Sequence, residues 1–488
     1  MRLTSFILGL FLIGFMSLSP VNAQQEFEQW KHQQQQEFRE FRDARDKEFM
    51  NYLQQEWKDF QAYQGLVRDK TPKPEDIPTA ETVPEEKPDK PETPTISPPP
   101  RVPAPPETPS TVPVPPEPPE HPEKYQDVKF QFFGTPVRVH YDQQLAGSVD
   151  ENINEESISR FWKSLGTADT KSLLDQTQKY HKMLKLNDWG YTVFAHQLGS
   201  NIYGDSPNSE TLFTWFVLLK SGYDVRIGYN ENTTYLLVPS ENMLYNIPYL
   251  TMDGARYYIV PLDDRSSQVN GITTYEGKYP GESRSMNFRL SGSPAIAGNL
   301  HTRILAFDYL GGQYSVELQM NRNITAFYNT YPQTDIPIYF QSTISPQTAK
   351  SLVDELQPII EGKTEIQAVN LLLRFVQTAF EYQTDVQQFG KENYLFPEET
   401  LYYSASDCED RSALFAYLVR NLLGLEVIGL DYPGHIATAV RFSGDVGRDS
   451  IIHAGKTYTV CDPTYIMAEY GMTMPIVQDK EVTVFTFD

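Results

Sequence analysis

Cysteine, long apolar runs and clusters of basic residues are all scarce in this chain. Only 2 of its 488 residues are cysteines, which excludes a small fold held together by disulfides. Beyond residue 23 no run of about 18 consecutive apolar residues occurs, so the mature chain is expected to contain no transmembrane segment. The 64 acidic residues outnumber the 41 basic ones, and lysine and arginine are nowhere concentrated. Because phosphate neutralisation needs such a concentration, nucleic-acid binding is not expected.

The N-terminus has the pattern of a secretory signal peptide. Arg2 supplies a positive charge, residues 6–18 are apolar, and Val21-Asn22-Ala23 places small residues where a signal peptidase cleaves. The apolar run is shorter than the roughly 20 residues of a spanning helix, which disfavours an N-terminal anchor. We therefore expect residues 1–23 to be removed after Ala23 and the mature chain to be periplasmic or secreted.

Residues 24–70 carry aromatic side chains that recur every 11 residues. The two series are Phe27, Phe38, Phe49 and Phe60, and Trp30, Phe41, Tyr52 and Tyr63. An 11-residue step turns an α-helix through three turns plus about 20°, which predicts one long helix with a single aromatic stripe. With 10 acids and 8 bases, it is not a basic membrane-surface helix. The stripe favours a homo-oligomer or docking to a partner protein, and packing against the chain's own domains is the alternative.

A proline-rich segment follows at residues 71–124 and holds 20 of the 36 prolines. Such a sequence can neither form a strand ladder nor pack a core, so it predicts an extended spacer. Recognition by a proline-binding module is the alternative. The foldable part is therefore residues 125–488, where helical and strand patterns indicate an α+β fold.

Three chemically suggestive residues are spaced 27 positions apart near the C-terminus. Cys408 begins a helical pattern, His435 begins a strand pattern, and Asp462 follows another strand pattern. A helix N-terminus favours the thiolate, which is the nucleophilic form of cysteine. Asp407 is the expected N-cap of that helix. Glu409 and Asp410 would raise the thiol pKa if they pointed at it, so the His435 imidazolium would have to outweigh them.

Four short sequence boxes resemble the transglutaminase-like superfamily of cysteine enzymes, and most closely its bacterial transglutaminase-like cysteine proteinases. The boxes are Glu398-Glu399-Thr400-Leu401, Asp407-Cys408-Glu409-Asp410-Arg411, His435 before a strand of small residues, and Asp462-Pro463-Thr464-Tyr465. The resemblance covers about residues 365–465 and implies a papain-like catalytic domain at 346–488. It further implies Cys408 as nucleophile, His435 as general base and acid, and Asp462 as the group that orients the imidazole.

The same resemblance implies attack on amide carbonyls through a thioester, which is passed to water or to an amine. One oxyanion donor would be the backbone amide of Cys408, and Gln388 and Tyr382 are candidates for the second. A zinc site is disfavoured because Cys408, His435 and Cys461 contain no close ligand pair. No cofactor or metal is expected, and the sequence leaves calcium dependence open. A Cys408–Cys461 disulfide is disfavoured, because Cys461 must face away if Asp462 orients His435.

An offset of 202 residues aligns Leu212-Phe213-Thr214-Trp215-Phe216 with Leu414-Phe415-Ala416-Tyr417-Leu418. After a slip of two places, Arg256-Tyr257-Tyr258-Ile259-Val260 also matches Lys456-Thr457-Tyr458-Thr459-Val460. We therefore hypothesise that residues 125–264 form a degenerate transglutaminase-like copy, with Ser206, Thr233 and Leu262 at the three catalytic positions. Two unrelated α+β units are the alternative. Residues 265–345 contain strand patterns and are expected to form a small β region between the two.

Taken together, the sequence predicts an exported cysteine hydrolase or acyltransferase that acts on a peptide or protein amide. A peptidase is preferred, because nothing marks a dedicated amine site. The alternative is a non-catalytic envelope scaffold or binding protein whose transglutaminase-like domain is inert.

Overall fold

The fold is described from a computed structural model of the chain. The described residues are 44–68, 73, 76–81, 124–147, 149, 152–204, 206–260, 262–263, 269, 271–281 and 283–487. The predicted signal peptide, the first part of the aromatic repeat and most of the proline-rich segment lie outside them. Helices and strands are both abundant, so the α+β class is confirmed. No helix in the described part of the chain is both long and apolar enough to cross a membrane.

The first unit combines a hairpin, four helices and a sheet. Its hairpin and helices are β2 (Tyr125–Phe132), β3 (Thr135–Asp142), α2 (Glu155–Thr167), α3 (Thr170–Met183), α4 (Asp188–Tyr203) and α5 (Pro207–Lys220). Its sheet strands are β4 (Arg226–Asn230), β5 (Thr233–Pro239), β6 (Tyr249–Met252), β7 (Ala255–Ile259) and β8 (Gly271–Tyr275). Helix α5 is the central helix, since its residues from 209 to 219 are all buried.

The second unit has the same kinds of elements and contains the predicted catalytic residues. Its hairpin and first helices are β9 (Leu300–Tyr309), β10 (Gly312–Asn321), α6 (Arg322–Tyr328), α7 (Ile336–Gln341), α8 (Pro346–Ile360) and α9 (Glu365–Thr378). Next come β11 (Glu381–Tyr382), α10 (Asp385–Phe389), α11 (Pro397–Tyr402), β12 (Ala405–Ser406) and α12 (Cys408–Leu418). The sheet strands are β13 (Glu426–Tyr432), β14 (His435–Arg441), β15 (Ser450–His453), β16 (Lys456–Cys461) and β17 (Thr483–Phe485).

The two sheets share one topology. The strand orders are β8-β4-β5-β7-β6 in the first and β17-β13-β14-β16-β15 in the second, so each strand has a counterpart at the same place in the chain order. Each central helix packs on the second strand after it, α5 on β5 and α12 on β14. Each hairpin packs on two helices, β2–β3 on α3 and α4, and β9–β10 on α8 and α9. This common order favours the predicted duplication, which stays a prediction.

Two predicted domain boundaries are wrong. The boundary after residue 264 cuts the first sheet, because β8 pairs with β4 through Thr273 and Thr274. The boundary after residue 345 separates the β9–β10 hairpin from helices α8 and α9, on which it packs. The segment 265–345 is therefore shared between the two units, and α6 and α7 make it partly helical. Pairing between distant strands leaves no trace in local periodicity, which explains both errors.

The predicted long helix is wrong beyond residue 53. Residues 44–53 are helical and are designated α1, but Trp57–Gln61 form strand β1, which pairs antiparallel with β8 at the edge of the first sheet. Phe49 is only 1% exposed and lies among the rings of Trp162, Trp215, Tyr275 and Tyr279. The aromatic residues here therefore pack against the chain's own first unit, which was the alternative interpretation, because ring burial and ladder hydrogen bonds outweigh helix propensity.

Replacing Phe49 by Leu is expected to lower the free energy of unfolding by about 1 to 2 kcal/mol, because the smaller side chain leaves a cavity among the four rings. Molar mass in solution should stay unchanged. Tyr63→Leu is the matched control, since Tyr63 belongs to the same repeat but is 48% exposed. Urea unfolding and light scattering measure the two quantities. A loss of oligomer mass in Phe49→Leu without loss of stability would instead support association through the stripe.

Candidate active site

Cys408 is the first residue of helix α12, and Asp407 is the N-cap, as predicted. The residue before this cap, Ser406, belongs to strand β12, whose parallel pairing with β11 places Ser406 opposite Tyr382. Cys408 is fully buried. The sequence pattern therefore located the start of the helix correctly, and the fold places that start inside the second unit.

Arg411 fastens the first turn of α12 to its surroundings. Its guanidinium donates to the Phe380 carbonyl at 2.9 Å, to the Ser406 hydroxyl at 3.1 Å and to the Gln377 carbonyl at 3.3 Å. The side chain is fully buried. Burial also lowers the pKa of Arg411, to about 10. A charge kept inside the protein in this way is tolerated because its donors are satisfied.

His435 and Asp462 are brought together as predicted. His435 follows the tight turn at Gly434, whose φ is +75°, and its Nε2 lies 2.8 Å from Asp462 Oδ2. The other oxygen of Asp462 accepts from the backbone amides of Thr464 and Tyr465 at 2.9 and 3.2 Å. A carboxylate only accepts, so Nε2 carries the proton. In the neutral ring Nδ1 is then unprotonated, and it is buried without a hydrogen-bond partner.

Gln377 supports this pair and was missed by the sequence reasoning. Its Nε2 donates to the carbonyls of Asp462, Tyr465 and Ala468 at 3.2, 2.9 and 2.9 Å. One buried amide therefore holds the loop that carries the orienting carboxylate. A glutamine inside an apolar helical pattern was the only available signal.

The thiol lies close to the imidazole strand but is not bonded to the imidazole. Helix α12 packs on β14, and Ser412, one turn after Cys408, donates to the Ile436 carbonyl at 3.0 Å. The Cys408 thiol itself donates to Glu409 Oε2 at 2.9 Å. Among the described contacts, none joins the thiol to His435.

The alternation of strand β14 separates two packing environments. Cys408 packs in the same apolar cluster as Ile436 and Val440, whereas Ala437 and Ala439 belong to a second cluster. The strand of small residues that follows His435 therefore places Ala437 and Ala439 on one face. Helix α12 packs on β14, and the Ser412 hydroxyl of this helix donates to the Ile436 carbonyl at 3.0 Å.

A lysine from the proline-rich segment lies beside the start of helix α12. The Lys73 ammonium is 2.6 Å from Glu409 Oε1, 2.9 Å from Asp407 Oδ2, 2.9 Å from Glu392 Oε1 and 3.9 Å from Asp385 Oδ2. We call these four carboxylates the acidic pocket. The Lys73 side chain is only 6% exposed. This contact could not be predicted from local sequence patterns, since the lysine is 334 positions from Asp407.

Burial and the acidic pocket both disfavour the thiolate form of Cys408. Burial and the Glu409 carboxylate raise the pKa of Cys408 well above its usual range, and Lys73 offsets this only in part. Burial and Glu409 likewise raise the pKa of Asp407, to about 7. Burial would lower the pKa of Lys73, but the carboxylates of Glu409 and Asp407 raise it on balance. Lys73, and not the expected imidazolium, is therefore the cation that lowers the pKa of this thiol.

The two candidate oxyanion donors differ in position. Tyr382 lies under the Arg411 guanidinium, 5.4 Å from ring centroid to Cζ, and burial raises the pKa of its hydroxyl. A hydroxyl that stays protonated can donate a hydrogen bond. Gln388 lies on α10, three residues after Asp385, and its carboxamide oxygen is buried without a partner.

Both cysteines are free and buried, as expected for Cys461. Among the described residues the group that could hold a metal ion consists of Asp385, Asp407 and Asp410, whose oxygens lie within 4.8 Å of one another. It includes neither the cysteines nor His435, so it is not the zinc site that was considered. Lys73 already balances two of its carboxylates, and we assign no metal there.

A cleft of about 550 Å³ opens between the two units next to the acidic pocket. Its lining includes Trp189, His196, Tyr245, Tyr331, Glu392 and Asn393. Glu392 therefore faces both this cleft and Lys73. Asn393 also connects the two, because its backbone amide donates to Asp385 Oδ2 at 2.8 Å.

Comparisons with protein-family models, curated proteins and solved structures found no match for this chain.

Proposed function

We propose that the second unit is a transglutaminase-like cysteine hydrolase or acyltransferase of papain-like fold that acts on a peptide or protein amide outside the cytoplasm. The observation that carries this proposal is the His435–Asp462 hydrogen bond of 2.8 Å, which leaves a buried and unpartnered Nδ1 on the strand against which the Cys408 helix packs. An oriented imidazole beside a cysteine at a helix N-terminus is the arrangement that activates a thiol.

In this proposal Cys408 forms a thioester with the substrate. The thiol proton moves to His435 Nδ1 while sulfur attacks the amide carbonyl, and the negative charge develops on the carbonyl oxygen. The backbone amide of Cys408 and the Tyr382 hydroxyl are the candidate donors to that oxygen. His435 then returns the proton to the departing amine as the carbon–nitrogen bond breaks. Water or a second amine attacks the thioester and releases the acyl group. Hydrolysis remains preferred.

The first unit takes a non-catalytic role in this proposal. Ser206 is the N-cap of α5 and Thr233 begins β5, which are the places that correspond to the start of α12 and to His435. Neither residue can replace a thiol–imidazole pair at those positions. Its contribution is the wall of the interdomain cleft, to which it supplies Trp189 and Tyr245. A duplicated fold that has lost its nucleophile would in this way help to bind the substrate.

A second candidate function follows from the state of the thiol. Cys408 is buried and bonded to Glu409, and the surrounding carboxylates raise its pKa. A cysteine held in this way permanently would be inert, and the protein would then serve as an envelope scaffold or binding protein. The two functions differ in whether Cys408 ever becomes acylated.

Acyl transfer to Cys408 tests the proposal directly. The mature chain is incubated with a cell-envelope protein extract, quenched in acid, digested and examined by mass spectrometry for acyl groups on the peptide that contains Cys408. We expect an adduct that is lost in Cys408→Ala and in His435→Ala and retained in Cys461→Ala, the matched control for a buried free cysteine. Because Arg68 and Ala80 bind the N-terminal part of the chain to the second unit, through Asp431 and Ile466, the same incubation is repeated with Arg68→Ala/Ala80→Asp, which loosens those contacts. Absence of an adduct in both chains would favour the inert scaffold.

A further inference from the structure

The N-terminal part of the chain contacts the second unit on both sides of the nucleophile. Arg68 pairs with Asp431 at 2.8 Å, immediately before the turn that leads to His435. The backbone amide of Ala80 donates to the Ile466 carbonyl at 2.7 Å, four residues after Asp462, and the Ala80 side chain is buried in an apolar cluster. Lys73 lies between these two anchors and occupies the acidic pocket.

The acidic pocket gathers more carboxyl groups than one ammonium can balance, and burial raises the pKa of Asp407 to about 7 and that of Asp385 well above its usual range. Four carboxylates surround a single ammonium. One oxygen each of Asp385 and Asp407 is buried without a hydrogen-bond partner, although the two side chains are at most 1% exposed. Buried carboxylates without counter-charge are costly, so this concentration favours a site that takes a cation. An ammonium suits it, because its three donors can reach several carboxylates at once.

The Glu409 side chain connects Lys73 to Cys408. Glu409 accepts from Lys73 through Oε1 at 2.6 Å and from the Cys408 thiol through Oε2 at 2.9 Å. The thiol is fully buried, so no amide carbonyl can reach the sulfur while this arrangement lasts. Opening the site therefore requires a movement of the group that covers it.

We propose that the acidic pocket is an ammonium-binding site at the nucleophile, and that Lys73 occupies it as an intramolecular cover that keeps Cys408 out of reach. The cover is held by Arg68 and Ala80 and is displaced when a lysine side chain of a substrate or partner polypeptide takes the place of Lys73. The role of Cys408 as a nucleophile rests on the proposed function, whereas the position of Lys73 in the acidic pocket does not.

The test measures the rate of Cys408 alkylation by iodoacetamide in the mature chain at a series of pH values. These rates distinguish the accessibility of the sulfur from the pKa of the thiol. The limiting rate constant at high pH reports access to the sulfur, and the midpoint reports the thiol pKa. In Lys73→Ala we expect the limiting rate to rise at least about tenfold, because the cover is removed. The midpoint pH of alkylation should rise at the same time, because the Lys73 charge no longer lowers the pKa of the Cys408 thiol.

The double variant Arg68→Ala/Ala80→Asp loosens both anchors and leaves the Lys73 charge in the chain. Its limiting rate should also rise, which keeps the test decisive if Lys73→Ala fails to fold. Lys456→Ala is the matched control, because it removes an ion pair of the same unit with Glu426, at side chains 44 and 46% exposed. Neither the rate nor the midpoint should change in this control.

The ammonium specificity is tested by adding n-butylammonium, which has the shape of the missing side chain, to Lys73→Ala. We expect it to lower the limiting rate back toward that of the unaltered chain, whereas n-butanol at the same concentration should not. If the limiting rate rises neither in Lys73→Ala nor in Arg68→Ala/Ala80→Asp, Lys73 does not cover the thiol. A shift of the midpoint pH alone would then identify Lys73 as a structural counter-ion. Equal effects of butylammonium and butanol would overturn the ammonium site. A raised rate without acyl transfer would refute only the proposed enzyme.

Discussion

Replacing Asp462 by Asn is expected to lower the turnover of any peptide that the chain cleaves by about 10³ to 10⁴-fold. The backbone amides of Thr464 and Tyr465 donate to one oxygen of this side chain, so the asparagine carbonyl will take that place. Its NH₂ group then faces His435 Nε2 and forces that nitrogen to accept. The ring proton moves to Nδ1, which can no longer take a proton from the thiol.

The measurement is kcat on a peptide found by acyl-enzyme trapping, compared with the free energy of unfolding of the same variant. Asp445→Asn is the matched control, since this exposed carboxylate of the same unit caps a turn through the Gly447 amide. We expect its kcat to be unchanged. Equal activity of Asp462→Asn and Asp445→Asn would refute the assigned role of the His435–Asp462 pair.

Replacing Arg411 by Ala is expected to cost about 3 to 5 kcal/mol of unfolding free energy, because it leaves buried acceptors without donors. The carbonyls of Gln377 and Phe380 and the Ser406 hydroxyl would all lose their partner inside the protein. Arg411→Lys should be intermediate, since one ammonium cannot reproduce the geometry of the guanidinium.

Urea unfolding of Arg441→Ala provides the comparison for Arg411. Arg441 belongs to the same unit and pairs with Glu426, but the two side chains are 44 and 46% exposed. Exposed pairs contribute at most about 1 kcal/mol. If both variants lost equal stability, the buried network around the first turn of α12 would not be what fixes Cys408.

The start of helix α12 and the start of strand β14 could be predicted because local signals define both. An acidic N-cap precedes Cys408, and a glycine turn precedes His435. That Asp462 orients the imidazole was implied by the resemblance to transglutaminase-like enzymes, and its Oδ2 lies 2.8 Å from His435 Nε2. Local signals do not determine side-chain direction, however, and so they could not show that the thiol would face Glu409.

Contacts between distant segments were beyond prediction from one sequence. Strand β1 exists because β8 offers it an unpaired edge, and the local pattern around Trp57 contains no sign of that edge. Lys73 likewise enters the site from a segment whose composition indicated only an extended spacer. Tertiary partners override local propensity in both cases, and such partners can be recognised only in the folded chain.

Strand β1 and Lys73 are synthesised long before Cys408, the residue that Lys73 covers in the proposed scheme. Chains fold from the N-terminus during synthesis, and Lys73 emerges 334 residues ahead of Asp407. By the time helix α12 is made, the first unit already contains β8, on which β1 is anchored. In the proposed scheme the protein is therefore covered as soon as its active site forms. It could attack other proteins only after Lys73 has been displaced.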